Sequence, residues 1–300
     1  MAATAEIEAR LVRPAEPKAT VLLGLIGAAI GLSRSPALYQ RESAAQGLTC
    51  IYQLIDLDRL GLTVAVLPDL LVAAERFGFA GLNITYPCKQ AVIPHLHVLS
   101  PDAQAVGAVN AIVLHGGKRV GHNTDWHGYA EAFRCEMTGV ALDRVVQFGA
   151  GGAGAAVAYA LLTLGVQHLT LVDADMAKAA ATAARMTAHF GDGRVTAAAT
   201  SEAAVRAAAG IVNTTPVGMA KIPGMPFPPE WLRPGHWVSE IIYFPLETEL
   251  LRQARARGCR TLDGSGMNVF QAAEAFRLFT GRTPDIDRMR SHFEAVGAMA

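Results

Sequence analysis

Val145-Val146-Gln147-Phe148-Gly149-Ala150-Gly151-Gly152-Ala153-Gly154 leads directly into Ala155-Ala156-Val157-Ala158-Tyr159-Ala160-Leu161-Leu162. A short apolar run, strand-like, ends in Gly149-x-Gly151-x-x-Gly154, and a run of small residues suited to a helix follows. The first glycine permits a tight turn, the second lets backbone approach a pyrophosphate, and the third lets the helix pack closely on the strand. The helix N-terminus offers free N–H groups and a positive dipole end to phosphates. A second apolar run, His168-Leu169-Thr170-Leu171-Val172, ends in Asp173, about 20 residues past the glycines, where a carboxylate accepts hydrogen bonds from ribose hydroxyls. The segment therefore predicts a dinucleotide-binding βαβ unit. Gly149, Ala150, Gly151, Gly152, Ala153, Gly154 and Asp173 are its candidate cofactor contacts.

Toward the C-terminus, strands are expected at residues 145–148, 168–172, 194–198, 210–213, 236–242 and 260–262. Helices are expected near 153–164, 175–189 and 246–257. Six strands at this spacing suit a doubly wound nucleotide fold. Gly191-Asp192-Gly193 and the proline-rich stretch 222–234 read as turns or loops. Gly264-Ser265-Gly266 reads as a break, followed by helices over 267–280 and 284–296 that leave the sheet pattern and are expected to reach back to the first domain. Toward the N-terminus, strand-like runs at 21–26, 49–55, 79–84 and 111–114 alternate with helical runs at 36–46, 68–77 and 101–106. Each helical run has proline at or near its start, where a helix tolerates it. This predicts a second α/β domain with a mostly parallel sheet. The expected domains are a substrate domain at 1–124, joined by the helices of 264–300, and a Rossmann-type dinucleotide-binding domain at 125–263. Residues 1–18, without the compact apolar core of a secretory signal, are expected to be a loose extension.

Composition narrows the function classes. The 300 residues are 51% hydrophobic and 17% charged, which allows substantial cores and excludes a disordered tail. Formal net charge is zero, so no nucleic-acid footprint is expected and small molecules are the expected ligands. No apolar run reaches the roughly 18 residues of a membrane span. Cys50, Cys88, Cys135 and Cys259 lie far apart without a C-x-x-C, which fits a reducing cytoplasm and argues against a zinc site. Cys88 has no Cys-His signature to support a nucleophile, and His95-x-His97 has no further ligands near it; no metal is expected.

Two further runs carry chemistry. Gly81-Leu82-Asn83-Ile84-Thr85-Tyr86-Pro87-Cys88-Lys89-Gln90 contains a lysine, and Gly121-His122-Asn123-Thr124-Asp125 places an aspartate ahead of a helix expected at 126–137. A lysine beside an aspartate in a closed cleft can move one proton, the carboxylate orienting the amine and holding its charge state. Alone, each is matched by an ordinary surface lysine or a helix-capping aspartate.

With the other motifs, the chain resembles the shikimate dehydrogenase family, including its quinate/shikimate members, from Val21 to about Thr280. The family's S-x-S-P stands here as Ser33-Arg34-Ser35-Pro36, its N-[VI]-T-x-P-x-K as 83–89, and its G-A-V-N as Gly107-Ala108-Val109-Asn110. Its N-T-D is Asn123-Thr124-Asp125, its G-A-G-G-A is 149–153, and its N-x-T-P-x-G-M is 213–219. Its Y-x-P-x-x-T-x-L runs over 243–250 and its G-x-G-M-x-x-x-Q-A over 264–272. The resemblance implies Lys89 as acid/base with Asp125 as its partner, and Ser33 and Ser35 on the substrate carboxylate. It implies Thr85, Asn110, Tyr243 and Gln271 around the substrate ring, and Thr215, Met219, Ile241 and Gly264 toward the nicotinamide. Hydride would pass between a ring carbon and the cofactor while the carbinol proton passes through Lys89.

The chain departs from the family pattern at several points. The usual proline and histidine ahead of S-x-S are Ala29 and Leu32, and the usual aspartate three residues before the tyrosine is Glu240. Relatives that resemble NADP users carry an Asn-Arg-Thr-like run after the second nucleotide strand, whereas this chain has Asp173-Ala174-Asp175. A carboxylate replaces the arginine's company at the ribose, so NAD is the expected cofactor. The expected function is NAD-dependent interconversion of shikimate and 3-dehydroshikimate, extending to quinate and 3-dehydroquinate, in a monomer or homodimer. A preference for quinate or an aminoshikimate stays open. A non-catalytic NAD sensor also stays open, although a sensor would have no need of Lys89 and Asp125.

Overall fold

The computed structural model of the protein describes residues 19–200 and 202–297. The extension expected at 1–18 lies outside the described residues. The first part runs β1 (Thr20–Gly27), α1 (Ser35–Ala45), β2 (Thr49–Asp56), α2 (Leu57–Leu60), α3 (Leu67–Arg76) and β3 (Gly81–Ile84). It continues with α4 (Cys88–Ala91), β4 (Val98–Leu99), α5 (Pro101–Val106), β5 (Ala111–His115) and β6 (Lys118–His122). Proline occupies the first turn of α1, α3 and α5, and the Ser100 hydroxyl caps α5 by accepting the Ala103 N–H.

These six strands form one sheet in the order β2-β1-β3-β5-β6-β4. β1 pairs in parallel with β2 and β3, and β4 with β6, but β3–β5 and β5–β6 are antiparallel. The sheet is thus mostly parallel, as expected, with antiparallel pairing confined to the two sides of β5. Gly116 and Gly117, both at positive φ, turn the chain back on itself after β5, and Lys118-Arg119-Val120-Gly121-His122 pairs as a strand despite its polar composition.

The second part runs α6 (Asp125–Glu136), β7 (Arg144–Phe148), α7 (Gly152–Thr163), β8 (His168–Val172), α8 (Met176–Phe190), β9 (Val195–Ala197) and α9 (Glu202–Ala207). β10 (Gly210–Asn213), β11 (Trp237–Glu240), α10 (Glu249–Ala256), β12 (Arg260–Leu262), α11 (Gly264–Thr280) and α12 (Ile286–Gly297) complete it. Its sheet has the order β12-β11-β10-β7-β8-β9 with every pair parallel, the doubly wound arrangement expected from the sequence. The chain moves outward from β7 to β9, then returns to lay β10 on the other side of β7. Ligands of such sheets bind at the carboxyl ends of the strands flanking that reversal.

α11 begins at Gly264, ahead of the start expected near Met267, with Asp263 accepting the Ser265 N–H as its cap. A side chain at 264 would place its Cβ 2.3 Å from the Ile241 carbonyl oxygen, so a glycine opens this helix against the end of β11. α11 and α12 return to the first sheet as expected: Val269, Ala272, Phe276, Phe279, Met289 and Phe293 share one core with Leu23, Tyr39 and Tyr52. α6 packs Tyr129 and Phe133 into the nucleotide-domain core, where Trp237 meets Phe133 edge-on at 5.1 Å between ring centres. Truncating a fully buried ring such as Phe276 to alanine typically costs about 3–5 kcal/mol. Among the described residues, no helix is long and apolar enough to cross a membrane.

Candidate active site

Lys89 stands on the one-turn helix α4, which leaves the end of β3, and its backbone carbonyl accepts the Val109 N–H at 2.9 Å. Its Nζ lies 2.6 Å from Asp125 Oδ2, both side chains being largely buried. Asp125 is the first residue of α6, where the free N–H groups and dipole of the helix favour negative charge. The other carboxylate oxygen, Oδ1, accepts Asn110 Nδ2 at 2.8 Å. The same Nδ2 faces Thr124 Oγ1 at 2.9 Å and Gln271 Oε1, arriving from α11, at 3.4 Å. Asn110 Oδ1 in turn accepts the Thr124 N–H at 2.6 Å. The structure therefore brings Lys89, Asp125, Asn110 and Gln271 into one polar cluster drawn from four separate sequence runs. A lysine so held can give or take one proton, with the carboxylate fixing its direction.

The loop between β1 and α1 carries Ser33, and Ser35 opens α1. Asp56, at the end of β2, holds that loop by accepting the Ala29 N–H on Oδ1 and the Ile30 N–H on Oδ2, each at 3.0 Å. Ala29 sits at φ 55°, a left-handed conformation that proline cannot adopt. Ser33 Oγ and Ser35 Oγ are 3.2 Å apart, and Ser33 Oγ also accepts the N–H of Ser35, the first residue of α1, whose N-cap Arg34 makes no side-chain cap hydrogen bond. Thr85 is half-buried at the end of β3, with its N–H on the Ile26 carbonyl. Tyr243 is 39% exposed and is placed by an edge contact with the Phe293 ring, 6.1 Å away, rather than by a hydrogen bond to the lysine cluster.

Cys88, next to the lysine, is buried, and burial pushes its thiol up to about 11. It stays protonated at neutral pH and is no nucleophile. His97 Nδ1 accepts the Arg119 N–H in the sheet edge at 3.0 Å, and no cluster of metal-ligating residues occurs among the described residues.

The nucleotide turn follows the glycine reading. A Cβ at Gly154 would lie 2.5 Å from the Gly149 carbonyl oxygen, so α7 packs against the turn with no room for a side chain. At Gly151 a Cβ would meet nothing within 4 Å, leaving an open face at the N-terminus of α7 for a phosphate group. Gln147 Nε2 braces the turn from beneath, donating to the Gly149 and Gly154 carbonyls at 2.8 Å each. Ala150 is buried within the turn, and Gly152 and Ala153 form its half-buried rim. A Cβ at Gly152 would stand 3.5 Å from Lys89 Cβ, so the lysine stem runs alongside the turn. Asp173, half-buried at the end of β8, accepts the Ala150 N–H on Oδ2 at 2.8 Å and the Asp175 N–H on Oδ1 at 2.9 Å. Ala174 and Asp175 are exposed, Asp175 capping α8 through the Ala177 and Lys178 N–H groups.

On the opposite side of the reversal, Thr215 donates both its N–H and its hydroxyl to Asn213 Oδ1, at 3.0 and 2.7 Å. Ile241 abuts Gly264, and Met219 is 42% exposed. Behind this loop, Glu240 is 1% exposed. Burial pushes its carboxyl up to about 7, against the opposing pull of the donors from Asn213, Ile242, Thr248 and Ile241. Asp56, Asn123 and Gln147 received no role from the sequence. Asn123 accepts the Asp125 and Trp126 N–H groups and donates to the Ala108 carbonyl, which fixes the start of α6. Its place beside Asp125 in the N-T-D run was the available signal.

A lysine–aspartate pair alongside a glycine turn, at the reversal of a doubly wound sheet, is an arrangement suited to a nucleotide-dependent oxidoreductase. Comparison with known proteins narrows the class. The model of the shikimate dehydrogenase substrate binding domain matches residues 25–112, and that of the shikimate 5'-dehydrogenase C-terminal domain matches 264–292. A shikimate dehydrogenase (NADP(+)) of Streptomyces avermitilis is 58% identical over 89% of this chain and 93% of its own length. A quinate/shikimate dehydrogenase (NAD(+)) of Corynebacterium efficiens is 47% identical over 91% of this chain and 98% of its own. The structure of quinate dehydrogenase from Corynebacterium glutamicum in complex with NAD superposes with a TM-score of 0.87 at 46% identity, covering 92% of this chain and 99% of that one. The chain belongs to the shikimate dehydrogenase family.

Proposed function

We propose that this member of the family is an NAD-dependent dehydrogenase that interconverts shikimate and 3-dehydroshikimate and also accepts quinate. The observation that carries the reading is the 2.6 Å contact between Lys89 Nζ and Asp125 Oδ2 beside the Gly149–Gly154 turn. In the proposal, residues 1–124 with the helices of 264–300 bind the substrate, and 125–263 bind the cofactor. Ser33 and Ser35 take the carboxylate, while Thr85, Asn110, Tyr243 and Gln271 read the ring hydroxyls. A nicotinamide held by Thr215, Met219, Ile241 and Gly264 would supply the hydride acceptor, and Lys89, as the neutral amine, would take the carbinol proton. The glycine turn from Gly149 to Gly154 takes the pyrophosphate.

Cofactor choice rests on Asp173. Its carboxylate stands at the end of β8, where it can accept ribose hydroxyls, and Ala174 offers no cation to a 2′-phosphate. Like-charge contact in a partly buried site costs a few kcal/mol, which supports NAD. The names of the relatives divide on this point, NADP in one and NAD in the other. The same neighbours support quinate as a second substrate. Serine rather than threonine or glycine at 35 supports shikimate as the better one. An added hydroxyl is rejected by an apolar pocket only about 10²-fold, and by a polar one less. The test is oxidation of each acid by the purified protein with NAD, followed at the reduced-nicotinamide absorbance. Both acids are expected to react, shikimate faster by up to about 10²-fold. A faster quinate reaction would overturn the Ser35 argument, and no reaction with either would overturn the function.

A further inference from the structure

Glu240 is a carboxylate sealed inside the nucleotide domain, and among the described residues no cation forms an ion pair with it. A buried group of this kind is destabilising unless hydrogen bonds satisfy it, so its partners show what it holds in place. Oε1 accepts the Ile241 N–H at 3.0 Å and the Ile242 N–H at 3.2 Å. Oε2 accepts Asn213 Nδ2 at 2.9 Å and the Thr248 hydroxyl at 3.2 Å. Asn213 Nδ2 also reaches Oε1 at 3.2 Å and donates to the Val217 carbonyl at 2.9 Å. Through its other end Asn213 holds Thr215 by two hydrogen bonds. One side chain thus gathers the ends of two adjacent strands: the 213–217 loop after β10, and the 241–248 turn after β11.

We propose that Glu240 is the positioning residue of the nicotinamide half of the site, acting through Asn213 on the Thr215–Val217 loop and through the 241 and 242 amides on the turn that carries Tyr243. This rests on the nicotinamide placement given under Proposed function. The adenosine half, at Gly151 and Asp173, lies on the other side of the strand reversal, where Glu240 makes no hydrogen bond. The residue should therefore matter for one half of the dinucleotide and not for the other.

The chemistry of the acceptor set selects the variant. Every contact to Glu240 comes from a donor, and glutamine can present only one acceptor oxygen. With that oxygen on the Ile241 and Ile242 amides, the glutamine NH₂ would confront Asn213 Nδ2 donor to donor. Glu240→Gln therefore cuts the link to the Thr215 loop while nearly preserving volume, and Glu240→Asp keeps an acceptor at both positions.

The experiment, run above about pH 8 so that Glu240 is ionised, compares the unmodified protein with both variants in shikimate oxidation by NAD and in titration with NADH and with ADP-ribose, which lacks the nicotinamide. Glu240→Gln is expected to lower kcat by about 10- to 10²-fold, the scale of a misplacement of roughly 1 Å, with KM for shikimate little changed. NADH should bind more weakly while ADP-ribose binds as before, and Glu240→Asp should recover most of both losses. Equal weakening of NADH and ADP-ribose, or wild-type kcat in Glu240→Gln, would overturn the proposal. If Glu240→Gln does not fold, Asn213→Ser, which removes the middle of the link, must give the same split between NADH and ADP-ribose. Because the titrations need no turnover, an unmodified protein that binds NADH yet oxidises neither acid would break the proposed function and leave this test standing.

Discussion

At the scale of single residues, the proposed function puts proton transfer on Lys89, cofactor choice on Asp173 and the substrate carboxylate on a loop held by Asp56. Lys89→Ala should lower turnover by about 10²–10⁴-fold, the usual loss for an acid/base, with NADH affinity retained in a binding titration. Near-wild-type turnover in that variant would remove the lysine from the mechanism. Ala29→Pro is expected to raise KM for the substrate acid at unchanged NAD affinity. Proline can neither adopt φ 55° nor donate to Asp56 Oδ1, and the serine loop would lose its anchor. The double change Asp173→Asn with Ala174→Arg should shift the ratio of kcat/KM toward NADP. Glu240 gives a pH signature. Its carboxyl, near 4.5 when unfolded, is pushed by burial up to about 7 in the folded chain. The native state therefore holds the proton more tightly, and the contribution of Glu240 to stability is full below about pH 4.5 and declines as pH rises to 7. Thermal unfolding of the unmodified protein and Glu240→Gln should show their difference in Tm moving in that sense between pH 5 and 8; a constant difference would contradict it.

The residues that carry motifs were legible in the sequence because chemistry restricts their type: a lysine, an aspartate, glycines where no side chain fits. Those that hold the motifs in place were not. Asp56 lies 26 and 27 positions from the Ile30 and Ala29 amides of the loop it anchors, and Gln147 looks like any polar interruption of a strand. At the scale of elements the same division appears. Long apolar runs gave β1, β2, β7 and β8, and proline marked the starts of α1, α3 and α5. The β5–β6 hairpin escaped because its return strand is polar and is specified by the turn at Gly116-Gly117 and by pairing partners distant in sequence. The start of α11 at Gly264 escaped because glycine usually ends helices, and here the constraint is the carbonyl of Ile241. The docking of α12 depends on a polar clamp as well as on Phe293. Glu42, buried in α1, accepts Arg288 Nε at 2.7 Å, Arg288 Nη2 at 2.8 Å, Gln46 Nε2 at 2.7 Å and the Asp285 N–H at 3.0 Å. Burial alone would raise its carboxyl, but Arg288, Asp285 and Gln46 outweigh burial and hold it below its ordinary range. A depressed carboxylate stabilises the fold above its unfolded pKa, and that contribution is lost as pH falls through the folded one. Arg288→Ala should therefore lower Tm at neutral pH and lose much of that effect in acid below about 4.5. An equal effect at both pH values would assign the loss to packing instead.

At the scale of the whole molecule, two sheets are joined where α4 and its lysine lie against the Gly152 turn, and where α11 passes from the nucleotide sheet to the substrate sheet carrying Gln271 to Asn110. The polar cluster exists only because both parts contribute: Lys89 and Asn110 from one, Asp125 from the head of α6, Gln271 from α11. This meeting was legible as a list of motifs but not as a geometry, since no local pattern encodes which helix crosses between sheets. In the proposed function, hydride and proton transfer fall at this one cleft, and Asp173 takes the adenosine ribose. The most direct test is the ratio of kcat/KM for NAD to that for NADP in shikimate oxidation by the unmodified protein. The carboxylate at 173 and the alanine at 174 predict a ratio of at least about 10², each tenfold corresponding to about 1.4 kcal/mol. A ratio near one, or in favour of NADP, would contradict the account.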